Sequence, residues 1–149
     1  MENHQKAGSH VFDAENKILG RMASESAKHL LNGESVVILN AEKAIITGRK
    51  KEIIKRYMVR VGLTDKANPD HSPYWSKRPD LLVKRVVRGM LPYRKPSGKS
   101  AYRNLRVFMG VPEEFKGKVN AEAGSKERKT LYTEHITIKE LSSRMGYVV

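Results

Sequence analysis

The sequence predicts an α/β protein with a mainly parallel sheet, and three features of its N-terminal part predict that class. Residues 10–13 are typical of a short strand, and apolar residues then recur at helical spacing from Leu19 to Leu31. Residues 36–39 form a continuous aliphatic run, which is typical of a strand buried on both faces of a parallel sheet. A strand, an amphipathic helix and a buried strand in this order predict a βαβ unit.

Two further helices are predicted in the middle of the chain, and each has one apolar and one basic face. The apolar face of the second helix consists of Ile53, Ile54, Tyr57, Met58 and Val61. Pro79 suits the first turn of the third helix, where a backbone N–H is not needed. The apolar face of the third helix consists of Leu82, Val83, Val86, Val87 and Met90. The proline-rich residues 62–79 between the helices are expected to form a loop.

The last part of the chain is expected to contain a basic loop, a strand and a short helix. Residues 92–103 hold two prolines, one glycine and four cations without an apolar period, which predicts an extended loop. Residues 105–109 are typical of a strand. Thr137 and Glu140 match the capping-box pattern that opens a helix, and Gly146 would end that helix.

These elements predict one domain over residues 1–149 and no internal repeat. Its core is expected at residues 9–118 and includes the basic loop at residues 92–105. Residues 119–149 are expected to form a C-terminal extension that ends in the short helix.

The charge of the chain is concentrated in its centre. The 149 residues hold 29 Lys and Arg against 16 Asp and Glu, for a net charge of +13. Residues 49–106 contain 17 of the basic and four of the acidic residues, whereas the flanks together hold 12 of each. Cations that served only solubility would be scattered along the chain. Their clustering instead predicts a surface that binds the phosphates of a nucleic acid.

The candidate RNA-binding residues are the Lys and Arg side chains of the two basic helix faces, the loop between them and the basic loop. They are Arg49, Lys50, Lys51, Lys55, Arg56, Arg60, Lys77, Arg78, Lys84, Arg85, Arg88, Arg94, Lys95, Lys99 and Arg103. Tyr74 and Trp75 lie beside two of these cations, so they could stack on unpaired bases. Packing of Trp75 beneath the loop is the alternative, because a lone Trp is highly buried on average.

The sequence offers no motif for catalysis or for a cofactor. Ser97-Gly98-Lys99-Ser100 resembles the end of a phosphate-binding loop, but Tyr93 stands where that motif requires its first glycine. No dinucleotide-binding glycine pattern is present. We therefore expect a protein that is not an enzyme and that uses no cofactor and no small-molecule substrate.

Metal ligands are also not expected. The chain has no cysteine, so disulfides and cysteine-ligated metals are excluded and a reducing compartment is favoured. The histidines are too far apart in sequence for a helical metal site, and they are expected to be isolated. They are His4, His10, His29, His71 and His135. The apolar runs are too short to cross a membrane.

Several segments together resemble one family, the universal large-subunit ribosomal protein thirteen in its archaeal and eukaryotic form. The resemblance covers nearly the whole chain, and residues 88–92, Arg-Gly-Met-Leu-Pro, are its most specific block. Residues 13–14, 19–24, 36–40, 47–48 and 110–112 also match. The histidine-containing stretch typical of bacterial members is replaced by Pro-Glu-Glu-Phe at residues 112–115, which indicates the archaeal and eukaryotic branch.

This resemblance implies a three-layer α/β/α fold around a mainly parallel four-stranded sheet. It also implies a structural constituent of the large ribosomal subunit in the cytoplasm that binds ribosomal RNA, contacts neighbouring ribosomal proteins and supports subunit assembly and translation. Two other functions stay open at this point. One is an enzyme that acts on RNA or nucleotides on an α/β sheet, and the other is a free-standing regulator that binds messenger RNA.

Overall fold

The computed structural model describes residues 9–116 and 134–148, which contain five α-helices and five β-strands. In chain order they are β1 (Ser9–Asp13), α1 (Leu19–Leu31), β2 (Ser35–Leu39), β3 (Ile45–Thr47), α2 (Lys50–Val61), α3 (Pro79–Met90), α4 (Pro96–Arg103), β4 (Leu105–Val107), β5 (His135–Thr137) and α5 (Ile138–Arg144). Single 3₁₀ turns lie at Ala41–Lys43, Pro69–His71 and Glu113–Phe115. None of the helices in these ranges is long and apolar enough to span a membrane.

The main sheet is parallel and has the strand order β1-β2-β4. Phe12 of β1 pairs with Ile38 of β2, and Val36 of β2 pairs with Leu105 of β4. β2 is the central strand, and four of its five residues are buried, as its aliphatic run predicts. The α/β class, the βαβ unit and the mainly parallel sheet are confirmed.

The predicted four-stranded sheet is not confirmed, because the described strands form two separate sheets. β3 pairs antiparallel with β5, with Ile46 opposite Ile136. An isolated parallel bridge between Ile18 and Ile45 links β3 to the segment that follows β1. β3 is only three residues long and obtains its partner strand from the C-terminal part of the chain.

The core lies mainly on one side of the parallel sheet, where every helix contributes to one apolar cluster. Phe12, Ile38 and Leu105 of the sheet meet the buried face of α1, and α3 and α4 complete the cluster. On the other face Val11, Val37 and Leu39 form a smaller cluster, against which Phe108 and Phe115 pack. A helical layer on this second face is therefore not established by the described residues.

Three residues expected on apolar helix faces are exposed. Met58 is 46% exposed in the middle of α2, where Ile53 is the buried residue, and each of the other two ends its helix. Met90 is the last residue of α3 and is 41% exposed, and Leu91 after it is buried instead. Leu31 is the last residue of α1 and is 53% exposed, whereas its neighbour Leu30 is buried. Helical spacing predicts the direction of a side chain but not where the core ends.

The prediction of an extended loop at residues 92–103 is wrong, because Pro96–Arg103 forms helix α4. Pro96 stands in the first turn, where proline is favoured and does not break a helix. Gly98 and Ala101 are the buried residues of α4. A helix with two small buried residues has no visible apolar period, which is why the sequence pattern misses it.

The C-terminal segment is part of the core and not an appendage. Ile136, Ile138 and Leu141 are fully or almost fully buried in the main cluster. The predicted cap of α5 is confirmed, since the backbone N–H of Glu140 donates to Thr137 Oγ1 at 3.2 Å. Residues 119–133 of the expected extension lie outside the described residues.

Gly98→Ala should destabilise the protein. A Cβ at Gly98 would collide with the carbonyl of Pro92 and lie 2.9 Å from the backbone nitrogen of Tyr93. Because backbone cannot move aside cheaply, we expect a loss of about 1–3 kcal/mol in the free energy of unfolding, measured by urea denaturation. Gly89→Ala is the matched control, since a Cβ there meets nothing within 4 Å. It should leave stability unchanged or raise it by up to about 1 kcal/mol. Equal stability of the two variants would contradict the packing of α4 on Pro92.

Leu141→Ala should also destabilise the protein, because Leu141 is completely buried. Truncation leaves a cavity in the core, and the expected cost is about 2–5 kcal/mol by thermal or urea unfolding. Val148→Ala is the control, since Val148 is 91% exposed only seven residues later. Similar stability of both variants would show that α5 is not part of the core.

Candidate nucleic-acid interface

Trp75 lies between two arginines where α2 and α3 approach the loop that joins them. Arg85 Cζ of α3 is 3.8 Å from the centre of the Trp75 ring, and Arg60 Cζ of α2 is 5.1 Å from it. Arg60 Cζ also lies 5.4 Å from the centre of the Tyr57 ring, which meets Trp75 edge-on at 6.5 Å. Trp75 is half-buried, so it neither fills the core nor stands free in solvent.

These side chains surround a cavity of about 280 Å³. It is lined by two aromatic residues, three arginines, two aliphatic residues and one glycine. The lining residues are Tyr57, Arg60, Trp75, Leu82, Arg85, Val86, Arg88 and Gly89. We call this space the Trp75 cavity.

The positive charges of the Trp75 cavity repel one another. Burial lowers the pKa of Arg85 below its usual value, and the neighbouring charges of Arg88 and Arg60 lower this pKa further. Arg85 donates a hydrogen bond to the backbone oxygen of Tyr74 at 3.0 Å, and this oxygen carries no formal charge that could neutralise the guanidinium group. In the part of the chain that the structure describes, none of the three arginines forms an ion pair with a carboxylate. The site therefore favours an anion.

A second group of aromatic rings and cations joins α3 to α4. Tyr93 and Tyr102 meet edge-on with ring centres 5.3 Å apart. Arg88 Cζ lies 5.1 Å from the centre of Tyr93, and Lys84 Nζ lies 5.2 Å from the centre of Tyr102. Because Arg88 also lines the Trp75 cavity, the cationic surface is continuous from α2 to α4.

Two cations of the expected basic loop, Lys99 and Arg103, form a row on one side of α4 because they are four residues apart, and both are exposed. Lys95 and Arg94 directly precede the helix and are also exposed. The helix thus changes the predicted shape of this segment but keeps its charge accessible.

The remaining predicted cations differ in their surroundings. Lys50 Nζ lies 3.4 Å from Glu140 Oε2, and Arg78 Nη2 lies 2.9 Å from Asp80 Oδ2. The charges of these two cations are therefore partly neutralised by carboxylates. The backbone oxygen of Lys77 accepts a hydrogen bond from Ser142 of α5. Four others are exposed at the start or on the surface of α2, namely Arg49, Lys51, Lys55 and Arg56.

Sequence reasoning missed the aromatic partners of the cations. Tyr57 is predicted as a core residue of α2, and Tyr93 and Tyr102 receive no role. Each of them lies within a few residues of an Arg or a Lys, which is the signal that could have identified them. Spacing along the chain cannot show that Tyr93 and Tyr102 face each other.

Two histidines are not isolated, contrary to the sequence expectation. The rings of His10 and His29 lie 4.1 Å apart, and both approach the Glu34 carboxylate. Hydrogen bonding from His29 lowers the pKa of Glu34 below its ordinary value. One ligand atom from each of the three side chains lies within 4.8 Å of the others, so these residues could hold a metal ion. They come from β1, α1 and the turn after α1, which sequence spacing does not connect.

Comparisons with known proteins agree on one family. The family described as Ribosomal protein L13 matches residues 7–114. A protein named large ribosomal subunit protein uL13 from Archaeoglobus fulgidus is 43% identical over 139 residues, which cover 92% of this chain and 87% of that protein. Proteins of the same name from Methanocaldococcus jannaschii and Haloarcula marismortui are 43% and 38% identical, and each alignment covers 91% of this chain and 96% or 90% of the relative.

Glu34→Gln should reduce the loss of stability in acid. Because the folded protein lowers the pKa of Glu34 from 4.5, this carboxylate contributes stability that is present above pH 4.5 and lost as the pH falls through its folded value. Melting temperatures between pH 6 and about pH 3 should therefore fall less steeply for the variant than for the wild type. Glu52→Gln is the control, since Glu52 has no ion pair among the residues described. Parallel curves for all three proteins would contradict this role of Glu34.

Proposed function

The chain belongs to the ribosomal protein L13 family, and from this membership we propose that it is a structural constituent of the large ribosomal subunit that binds ribosomal RNA. The observation that carries the proposal is the family match over residues 7–114, which include the whole cationic surface from α2 to α4. On this proposal the protein is not an enzyme, because RNA binding requires charge, shape and hydrogen bonds but no catalytic residue.

The proposed mechanism is the neutralisation of phosphates by cations held on helices. Arginine binds two phosphate oxygens at once, whereas lysine acts as a compact point charge. The fifteen cations named from the sequence are the proposed contacts. The row on α4 and the exposed cations of α2 would reach phosphates on either side of the Trp75 cavity, where RNA helices converge.

The proposal includes the partners and the organisation of the chain. Neighbouring large-subunit proteins are expected as further partners, and the subunit in the cytoplasm as the location. We propose that residues 1–149 form one domain, which the contribution of α5 to the main core supports. A three-layer arrangement is part of the proposal and is supported by Phe108 and Phe115, which pack on the second face of the sheet.

Sedimentation tests this function directly. The tagged full-length chain, expressed in an archaeal cell, should sediment with the large subunit in sucrose gradients and crosslink to its RNA. Release of the protein to the top of the gradient under conditions that keep subunits intact would contradict the proposal. It would favour a free-standing regulator of messenger RNA instead.

Replacing Lys95 and Lys99 by Ala should lower the affinity for large-subunit RNA and should also make this affinity less dependent on the salt concentration. Each phosphate contact that is lost should reduce the slope of log K against log salt by about 0.7–0.9. The control replaces Arg21 and Lys28, which are two exposed cations of α1 outside the central segment, and removes the same charge. Filter binding at several salt concentrations measures both slopes. Equal slopes for the two double variants would mean that α4 does not contact phosphates.

A further inference from the structure

We propose that the Trp75 cavity binds one unpaired nucleotide of the RNA, with its base in the cavity and its phosphate against the arginines at the rim. This inference rests on the proposed function, since it names what one part of that surface recognises. It goes beyond phosphate binding because it assigns a pocket for a base.

The walls of the cavity suit a flat, polarisable ring. The guanidinium groups of Arg85 and Arg60 already lie beside the Trp75 ring. Planar guanidinium groups and aromatic rings are the surfaces on which unpaired bases stack in proteins that bind single-stranded RNA. Leu82 and Val86 provide apolar contact at the floor. The volume of about 280 Å³ lies at the lower end of small-molecule pockets, which suits a ligand as small as one base.

The charge of the cavity suits the phosphate that accompanies a base. Burial lowers the pKa of Arg85, and Arg88 and Arg60 are close enough for their charges to lower this pKa further. Their neighbours within the cavity are rings and aliphatic side chains, which cannot neutralise them. A phosphate at the rim would relieve this repulsion, and burial would make its hydrogen bonds stronger than those on the open surface.

The position of the cavity favours a base that has left its helix. Bases inside an RNA duplex cover one another's faces, and the deep major groove of that duplex excludes side chains. The loop that carries Trp75 also carries Tyr74, which is 83% exposed beside the cavity. Arg85 holds the backbone of Tyr74 by a hydrogen bond, so the loop is tied to α3. A splayed-out base could thus enter the cavity while its neighbour stacks on Tyr74.

The chain contains a single Trp, so tryptophan fluorescence reports on this cavity alone. The full-length protein is titrated with a single-stranded adenosine hexanucleotide, with a hexamer of the same length that lacks all bases, and with inorganic polyphosphate. We expect the adenosine hexamer to quench the fluorescence and to bind at least about fivefold more tightly than the hexamer without bases, as expected when one stacked base is lost. Equal quenching and affinity for all three ligands would show that the cavity binds phosphate only, and would overturn the inference.

Arg85→Lys separates stacking from charge, because it keeps the cation and removes the planar group. Affinity for a labelled adenosine hexamer, measured by fluorescence anisotropy, should fall at least about fivefold, while affinity for the hexamer without bases should stay within about twofold. Arg21→Lys on α1 is the matched control, since Arg21 is exposed and lies outside the proposed RNA contacts, and it should change neither affinity. Arg60→Lys provides a second variant at the cavity, and thermal melting confirms that each protein is folded.

The outcomes separate this inference from the proposed function. If the wild-type protein binds large-subunit RNA but Arg85→Lys and Arg60→Lys bind the hexamer as the wild type does, the base pocket is refuted and the ribosomal function stands. If the protein fails to bind large-subunit RNA at all, the proposed function fails. Loss of hexamer binding in the two cavity variants, with Arg21→Lys unaffected, supports the pocket.

Discussion

The packing of α3 on the sheet and on α1 determines where the cationic surface lies. Leu82, Val83 and Val87 of α3 are buried in the main cluster, and the helix contacts both α1 and β4. Because residues three or four apart share one side of a helix, burial of this face directs Arg85 and Arg88 away from the core. The same apolar contacts that stabilise the fold therefore fix two guanidinium groups at the wall of the Trp75 cavity.

The Trp75 cavity concentrates positive charge without neutralising it inside the protein. Arg60, Arg85 and Arg88 each contact an aromatic ring, and Arg85 also donates a hydrogen bond to a backbone oxygen. Elsewhere carboxylates pair with cations, as Glu140 does with Lys50. Contacts between cations and rings are attractive but leave the net charge in place. Repulsion that remains in the free protein opposes folding and favours binding of an anion. This balance is typical of a surface selected for binding.

The sequence predicted the parts of the fold that depend on strong local patterns. The aliphatic run of β2, the apolar stripe of α1 and the Thr137 cap of α5 each left a clear signal, and each is confirmed. The antiparallel pairing of β3 with β5 left no such signal, because it joins residues about ninety positions apart. The cluster of His10, His29 and Glu34 and the Trp75 cavity were missed because each joins side chains from different elements, whose arrangement in space spacing along the chain does not show. Which fifteen cations bind RNA was predicted from charge alone and stays a prediction, although the geometry adds Tyr57, Tyr93 and Tyr102 to the same surface.

Helix α4 shows how a residue without charge can control a charged surface. A helix of eight residues is unstable alone in water, so α4 depends on its contacts with the rest of the protein. Gly98 permits one of these contacts, because the absence of a Cβ lets α4 lie against the backbone of Pro92 and Tyr93. Ala101 adds burial in the main cluster. These contacts hold Lys99 and Arg103 on one side of the helix before RNA arrives, so binding does not have to order the backbone that carries them. An extended loop with the same cations would carry the same charge, but it would lose part of its binding energy to the entropy of ordering.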